Sequence, residues 1–276
     1  MKLISWNIAR RTEAWKILLS SDADIGIIQE ANKPPDSLIG NGQIDYAPWE
    51  TLGADVYKKR DWRTAIAKIS SNVTVEWLEP KSIENALSGE FGVSQLGTLA
   101  AAKVTPLKGD PIIVISAYGL WKRPHKITNS KWIMADASVH RLISDISSFI
   151  GHQKKHRLIV SGDLNILYGY GELGSKYWAE RYKSIFSRMS ALGVPFVGPQ
   201  APDGGRQAVP WPEELPADSK NVPTFHSNTQ NPKTASRQLD FVFASESIKD
   251  RLMVRARNHP DDWGPSDHCR IEIDYK

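Results

Sequence analysis

Eight short apolar runs constrain this chain more than any other feature: KLISW (2–6), DIGIIQ (24–29), TAIAKI (64–69), LAAAKV (99–104), PIIVISAY (111–118), RLIVSG (157–162), LDFVFA (239–244) and RIEID (270–274). Each has the length of a strand, and each is set off by nearby Gly, Pro, Asn, Asp or Ser. Helical spacing interrupts them in three places. Val139, Leu142, Ile143, Ile146, Phe149 and Ile150 recur at the 3.6-residue period, which predicts a helix within 130–151 capped by Asn129 or Ser130. Trp15, Leu18 and Leu19 predict a shorter helix after Thr12. Trp178, Tyr182, Ile185, Phe186 and Met189 predict a third, ended by Gly193. The runs between 64 and 118 leave no room for helices, so strands there are expected to be antiparallel. The expected fold class is α/β with mixed sheets, in one domain over residues 1–276. Residues 198–223, rich in Pro and Gly and without periodicity, read as a loop excursion from that domain.

The remaining bounds are broad. The net charge of +4 suits a polyanionic partner such as nucleic acid. The densest basic run, HQKKHR (152–157), reads as a solvated loop between helix and strand. The single cysteine, Cys269, excludes an internal disulfide and any multi-cysteine zinc cage. Its place at a strand start allows a nucleophile, but a small buried strand residue is the simpler reading. No stretch has the roughly 18 apolar residues of a spanning helix, and MKLISWN runs straight into a strand pattern. These features lead to the expectation of a cytoplasmic, unexported monomer with no membrane and no obligate protein partner.

Polar residues fall where the runs end or begin. Asn7 ends the first and Glu30 the second. Asp163 and Asn165 follow the strand at 157–162, Asp240 opens FVFA, and Asp267 and His268 precede RIEID. Strand ends and antiparallel strand starts share one edge of a mixed sheet, so these side chains are expected to converge on one mouth. Carboxylates and amides are hard oxygen donors, suited to Mg²⁺ or Mn²⁺. A His beside an Asp is the usual way to charge and orient an imidazole. Together they suit hydrolysis at phosphorus, in which a cation neutralises phosphoryl oxygens and a carboxylate or His activates water. Taken alone, each Asp or Asn is equally a turn former, and Asp240 equally a partner for Arg237.

In this order the segments SWNI, IIQE, AYGL, GDLN, PTF, QLD and SDH resemble the endonuclease/exonuclease/phosphatase superfamily, the group of exonuclease III, AP endonucleases, deoxyribonuclease I and inositol-polyphosphate phosphatases. The resemblance spans residues 7–268. It implies a four-layer α/β sandwich of two mixed β-sheets flanked by helices. It implies Glu30 as the main metal ligand, Asp267 as a further one, and Asn7 lining the metal centre. Asp163 is then the residue that orients or deprotonates water, Asn165 holds phosphate and water, and Tyr118 and His268 contact phosphoryl oxygens. Asp240 keeps His268 charged and oriented, and either Asp163 or the Asp240–His268 pair is the base. Thr224 of PTF joins the substrate-binding set. Tyr118 stands where many of the phosphatases carry His, which is similar to the exonuclease III branch. Arg10 and Arg11 are read equally as phosphate contacts or surface residues.

Two further features compete. Gly169, Gly171 and Gly174 spell GxGxxG, but no acidic residue ends a second strand about 20 residues on, so a flexible turn is the better reading. Trp121, Trp211 and Trp263 lie in expected loops, where they either stack on bases or a sugar or pack the loops. The leading expectation is a Mg²⁺-dependent phosphodiesterase acting on nucleic acid. The alternatives are an esterase for a small or lipid-derived phosphate and a non-catalytic nucleic-acid-binding module.

Overall fold

The computed structural model describes residues 1–40, 43–45, 47–52, 59–151, 155–227 and 229–276, so 152–154 of the basic run lie outside the described residues. In chain order the elements are β1 (Lys2–Asn7), α1 (Thr12–Leu19), β2 (Ile25–Ala31), α2 (Asp36–Gly40), β3 (Thr51–Leu52), β4 (Lys59–Arg60), β5 (Arg63–Lys68), β6 (Val73–Leu78), β7 (Pro80–Ser82), β8 (Phe91–Val93), β9 (Leu99–Pro106), β10 (Ile112–Tyr118), α3 (Asp136–Ile146), β11 (Leu158–Asp163), α4 (Lys176–Ala191), β12 (Phe196–Gly198), β13 (Asp240–Ala244), β14 (Leu252–Ala256) and β15 (Ile271–Tyr275).

Two mixed sheets dominate, with strand orders β14-β15-β1-β2-β5 and β12-β13-β11-β10-β9-β6. Each has one parallel pair at its centre, β1–β2 in the first and β10–β11 in the second. Parallel neighbours need a crossover, and α1 and α3 supply the two. Side chains alternate, so each strand serves two interfaces. Leu3, Ile25, Ile27, Ile271 and Ile273 meet Ala102, Val104, Val114, Ile159 and Val242 between the sheets. On the outer face of the first sheet, Ile4, Trp6 and Ile28 pack against Trp15 and Leu18 of α1. On the outer face of the second, Ile115, Val160, Phe241 and Phe243 pack under α3 and α4. The result is a sandwich of helix, sheet, sheet and helices. Burial on both faces explains why the strands read as near-continuous apolar runs.

The structure corrects two sequence expectations. The helix expected from about residue 130 starts only at Asp136, and its N-cap is Ala135, without a side-chain cap. Lys122 and Met134 exchange backbone hydrogen bonds, which hold the preceding segment extended. Asn129 instead closes a 3-10 turn in left-handed backbone. Within the stretch expected to be wholly antiparallel, β7 and β8 pair parallel. The 198–223 segment is held to the domain by hydrogen bonds and burial. Ala201 donates to the Lys220 carbonyl (2.9 Å), Ala256 donates to that of Gly204 (2.7 Å), and Leu215 and Val222 are buried. Among the described residues, no helix is long and apolar enough to cross a membrane.

Candidate active site

Sheet register places the floor of the site. Tyr118 stands opposite Asp163 across the parallel β10–β11 pair, and Asp163 stands opposite Asp240 across the antiparallel β11–β13 pair. Directly opposed residues share a face, so three side chains line up at one sheet edge. Tyr118, Asp163 and Asp240 are all buried.

His268 is brought to this row from the other sheet. The Ser266 hydroxyl donates to the Asn7 carbonyl (2.6 Å), and Trp6 Nε1 donates to the His268 carbonyl (2.8 Å). These two bonds staple the turn before β15 to β1. His268 Nδ1 then lies 2.8 Å from Asp240 Oδ2, with Nε2 3.7 Å from Asp163 Oδ2. Arg237, the other candidate partner for Asp240, pairs with Glu172 instead (2.8 Å). Thr224, expected to bind substrate, is fully buried. Its Oγ1 accepts from the backbone N–H groups of Leu239 (2.9 Å) and Asp240 (3.1 Å), so it fixes the start of β13 rather than facing the mouth.

Glu30 sits where the β2–β5 register breaks. A bulge re-aims one side chain, and Glu30 takes left-handed backbone with φ 44°. Its Oε1 accepts from Tyr118 Oη (2.9 Å), and Asn7 Nδ2 lies 3.5 Å away. Arg10 Nε is 3.7 Å from Oε2. Ala9, Arg10 and Asn165 share that unusual backbone. Such residues cost about 1–3 kcal/mol each and gather where surrounding structure over-determines them. Arg11 is exposed at the start of α1.

The two amides both serve Asp163. Asn7 Nδ2 donates to Asp163 Oδ2 (2.9 Å), while its Oδ1 accepts from the Ala9 N–H (3.0 Å). Asn7 thus turns nitrogen, not oxygen, toward the carboxylates. It donates to Asp163 and lies 3.5 Å from Glu30. Asn165 donates from its backbone to Asp163 Oδ1 (2.9 Å), and from Nδ2 to Asp163 Oδ2 (3.2 Å) and the Gly119 carbonyl (3.0 Å).

Burial and neighbouring charge set the protonation states. Burial works against a charged His268, but the Asp240 carboxylate, then that of Asp163, outweighs it and holds the imidazole up to about 10. Burial pushes Asp163 up to about 7, and Asp240 adds to this against the opposing charge of His268. Burial, then the charge of Glu30, pushes the Tyr118 phenol well above its ordinary range, so it is a neutral donor.

One group of donor atoms has the spacing of a cation site. Among the described residues, donor atoms of Asp163, Asp240 and His268 all lie within 4.8 Å of one another. His268 Nδ1 already meets Asp240. Glu30 and Asp267 are the partly exposed carboxylates. The Asp267 carboxylate has no hydrogen-bond or ion-pair partner among the described residues, while its carbonyl accepts from the His226 N–H (3.0 Å).

Of the tryptophans, Trp121 is 57% exposed. Trp263 is buried against His226, and Trp211 donates to the Leu215 carbonyl, so both pack loops. Cys269 is buried and its thiol is pushed well up by burial, which suits the strand-residue reading. Gly169 and Gly174 take left-handed backbone around a 3-10 turn, as a plain turn would.

Sequence reasoning missed Trp62, whose ring packs edge-on against Tyr118 (5.0 Å), and Arg60, stacked over Trp62 (4.5 Å). A signal existed: β5 runs antiparallel to β2, so RDWR (60–63) had to arrive beside Glu30.

No protein-family model and no curated protein matches the sequence. Solved structures do match its shape. The AP endonuclease LMAP from Leishmania major aligns over all of this chain and 87% of its own, at 15% identity and a TM-score of 0.61. The endonuclease domain of TRAS1, a telomere-specific non-LTR retrotransposon, aligns over 100% and 98%, at 15% identity and 0.58. The 3'-5' exonuclease NExo from Neisseria meningitidis aligns over 100% of both chains, at 15% identity and 0.57. With two mixed sheets, flanking helices and the alignment of its whole length, the chain shares the fold of these solved structures.

Proposed function

We propose that the chain is a metal-dependent phosphodiesterase that cleaves nucleic acid by attack of water on phosphorus. The observation that carries this reading is the buried Asp163–His268–Asp240 arrangement, with His268 Nδ1 2.8 Å from Asp240, beside the partly open carboxylate of Glu30. Nucleases of the same shape, named above, support nucleic acid as the substrate class.

The donor set fits a hard cation. Glu30 Oε2 lies 3.7 Å from Arg10 Nε, and Asp267 has a carboxylate with no hydrogen-bond or ion-pair partner among the described residues. These two would hold Mg²⁺ or Mn²⁺. When bound, such a cation supplies charge neutralisation at the phosphoryl oxygens. Asp163, raised to about 7, accepts the proton of the attacking water as its oxygen bonds to phosphorus. His268, held as imidazolium by Asp240, cannot serve as the base; it and Tyr118 Oη donate to charge developing on the non-bridging oxygens. Asn7 and Asn165 fix the Asp163 carboxylate. The bond to the ester oxygen breaks, and that oxygen leaves with a proton from solvent.

The test is hydrolysis of bis-p-nitrophenyl phosphate and p-nitrophenyl phosphate with Mg²⁺, Mn²⁺ or EDTA. Metal-dependent diester turnover supports the reading. Turnover of the monoester alone would favour a phosphatase, and no turnover at all would favour a binding module.

A further inference from the structure

Between the segments that follow β10 and β11 lies a cavity of about 510 Å³, within the range of about 300–1,000 Å³ usual for small-ligand sites. One wall is the loop after β10, which contributes His125 and Trp132. The other is the turn and first helical turns after β11, which contribute Glu172, Tyr177, Trp178 and Arg181. Both segments leave the sheet edge that carries Tyr118 and Asp163. Glu172 pairs with Arg237, three residues before Asp240, so one cavity wall is tied to the approach to β13.

The walls are aromatic, open and held in place. Trp132 is 52% and Tyr177 64% exposed, and both rings line the cavity. Trp132 lies 6.1 Å from buried Trp178. Arg181 lies over the Trp178 ring (4.8 Å) and is fixed by Asp136 (2.6 Å) and the Tyr177 hydroxyl (2.9 Å). His125 Nδ1 accepts from the Ile127 N–H, which leaves Nε2–H as its donor. Residues 119–135 carry Lys122, Arg123, Lys126 and Lys131 and no Asp or Glu.

Open aromatic rings interleaved with cations match a nucleic-acid strand with an accessible base, whose ring stacks while its phosphates meet the basic side chains. We infer that this cavity receives an unpaired base of the strand whose phosphate occupies the site, and that the enzyme prefers single-stranded or locally unpaired nucleic acid. The inference rests on the nuclease reading, deepens it to a substrate class, and assigns Trp132 and Tyr177 as the stacking surfaces. A base inside an intact duplex has both faces covered and cannot enter.

The test compares wild type, Trp132→Ala and Tyr177→Ala on a single-stranded oligonucleotide, a duplex of the same sequence, and bis-p-nitrophenyl phosphate as the base-free reference. Stacking of one base corresponds to about a five- to 150-fold effect. Each variant is expected to raise KM on the single strand by a factor in that range relative to its effect on the reference. Equal effects on all three substrates, or none on the single strand, would overturn the inference. Binding is followed separately by tryptophan fluorescence in EDTA, with the same oligonucleotide and with one whose central nucleotides are abasic. Weaker binding of the abasic strand by wild type, a difference lost in Trp132→Ala, supports the inference even if no substrate is hydrolysed, an outcome that would sink the nuclease reading alone. Equal binding of both strands would overturn the inference whatever the hydrolysis result.

Discussion

Replacing Asp240 with Asn keeps the size of the side chain and removes the charge that His268 faces at 2.8 Å. His268 is held up to about 10, against an ordinary value of 6.5, although burial alone would lower it. The difference, 10 − 6.5, corresponds to about 5 kcal/mol at 1.36 kcal/mol per pH unit, as an order of magnitude. Both groups are buried, so solvent screens the interaction little. Asp240 is the larger of the two carboxylate contributions, so Asp240→Asn is expected to lower the His268 midpoint by at least about 2 pH units. A raised histidine stabilises the fold fully below its unfolded value near 6.5, and that stabilisation is lost as pH rises through 10. The variant should therefore be several kcal/mol less stable at pH 6.5, and the gap should close toward pH 10. The assays are an NMR titration of the His268 ring and urea unfolding at pH 6.5, 8 and 10. A midpoint unmoved in the variant, or a stability loss that is the same at all three pH values, would refute the ion-pair account.

Three other perturbations probe neighbouring parts. Thr224→Val removes the acceptor for two buried backbone N–H groups, at a cost of about 1–3 kcal/mol each in unfolding experiments; an unchanged unfolding midpoint would show that the hydroxyl does not fix β13. Glu30→Gln should raise the Mn²⁺ dissociation constant, read by calorimetry, at least about tenfold, since hard cations favour carboxylate ligands, and an unaltered constant would move the cation elsewhere. In wild type, kcat/KM should rise with pH through about 7 as Asp163 ionises and fall through about 10 as His268 loses its proton. Asp163→Asn should cost about 10²–10⁴-fold and remove the lower limb, whereas a variant retaining both limbs would not have lost the base.

The layers were legible because both sheets are buried on two faces and leave short apolar runs of strand length, bounded by turn residues. The floor of the site was legible for a related reason: Tyr118, Asp163 and Asp240 are strand-end residues, and register carries such positions into one row. The Asp240–His268 pairing was implied by the resemblance, and register sets Asp240 in the row that His268 meets. What escaped depends on contacts distant in sequence. The start of α3 is decided by backbone pairing between Lys122 and Met134, which no local pattern encodes. The orientation of Asn7 follows from the Ala9 N–H, and the inward turn of Thr224 from two β13 amides. Burial of Trp263 and exposure of Trp132 look alike in sequence, since both are aromatic residues in loops.

The central claim is that this edge of the two sheets hydrolyses phosphodiesters with Asp163 as base and a divalent cation at the mouth. Its most direct measurement is the initial rate on a single-stranded oligonucleotide with Mg²⁺ and with EDTA, for wild type and Asp163→Asn side by side. The account predicts cleavage that EDTA abolishes, that added Mg²⁺ restores, and that Asp163→Asn lowers by about 10²–10⁴-fold while the variant stays folded. Cleavage in EDTA, or an Asp163→Asn variant as active as wild type, would contradict it.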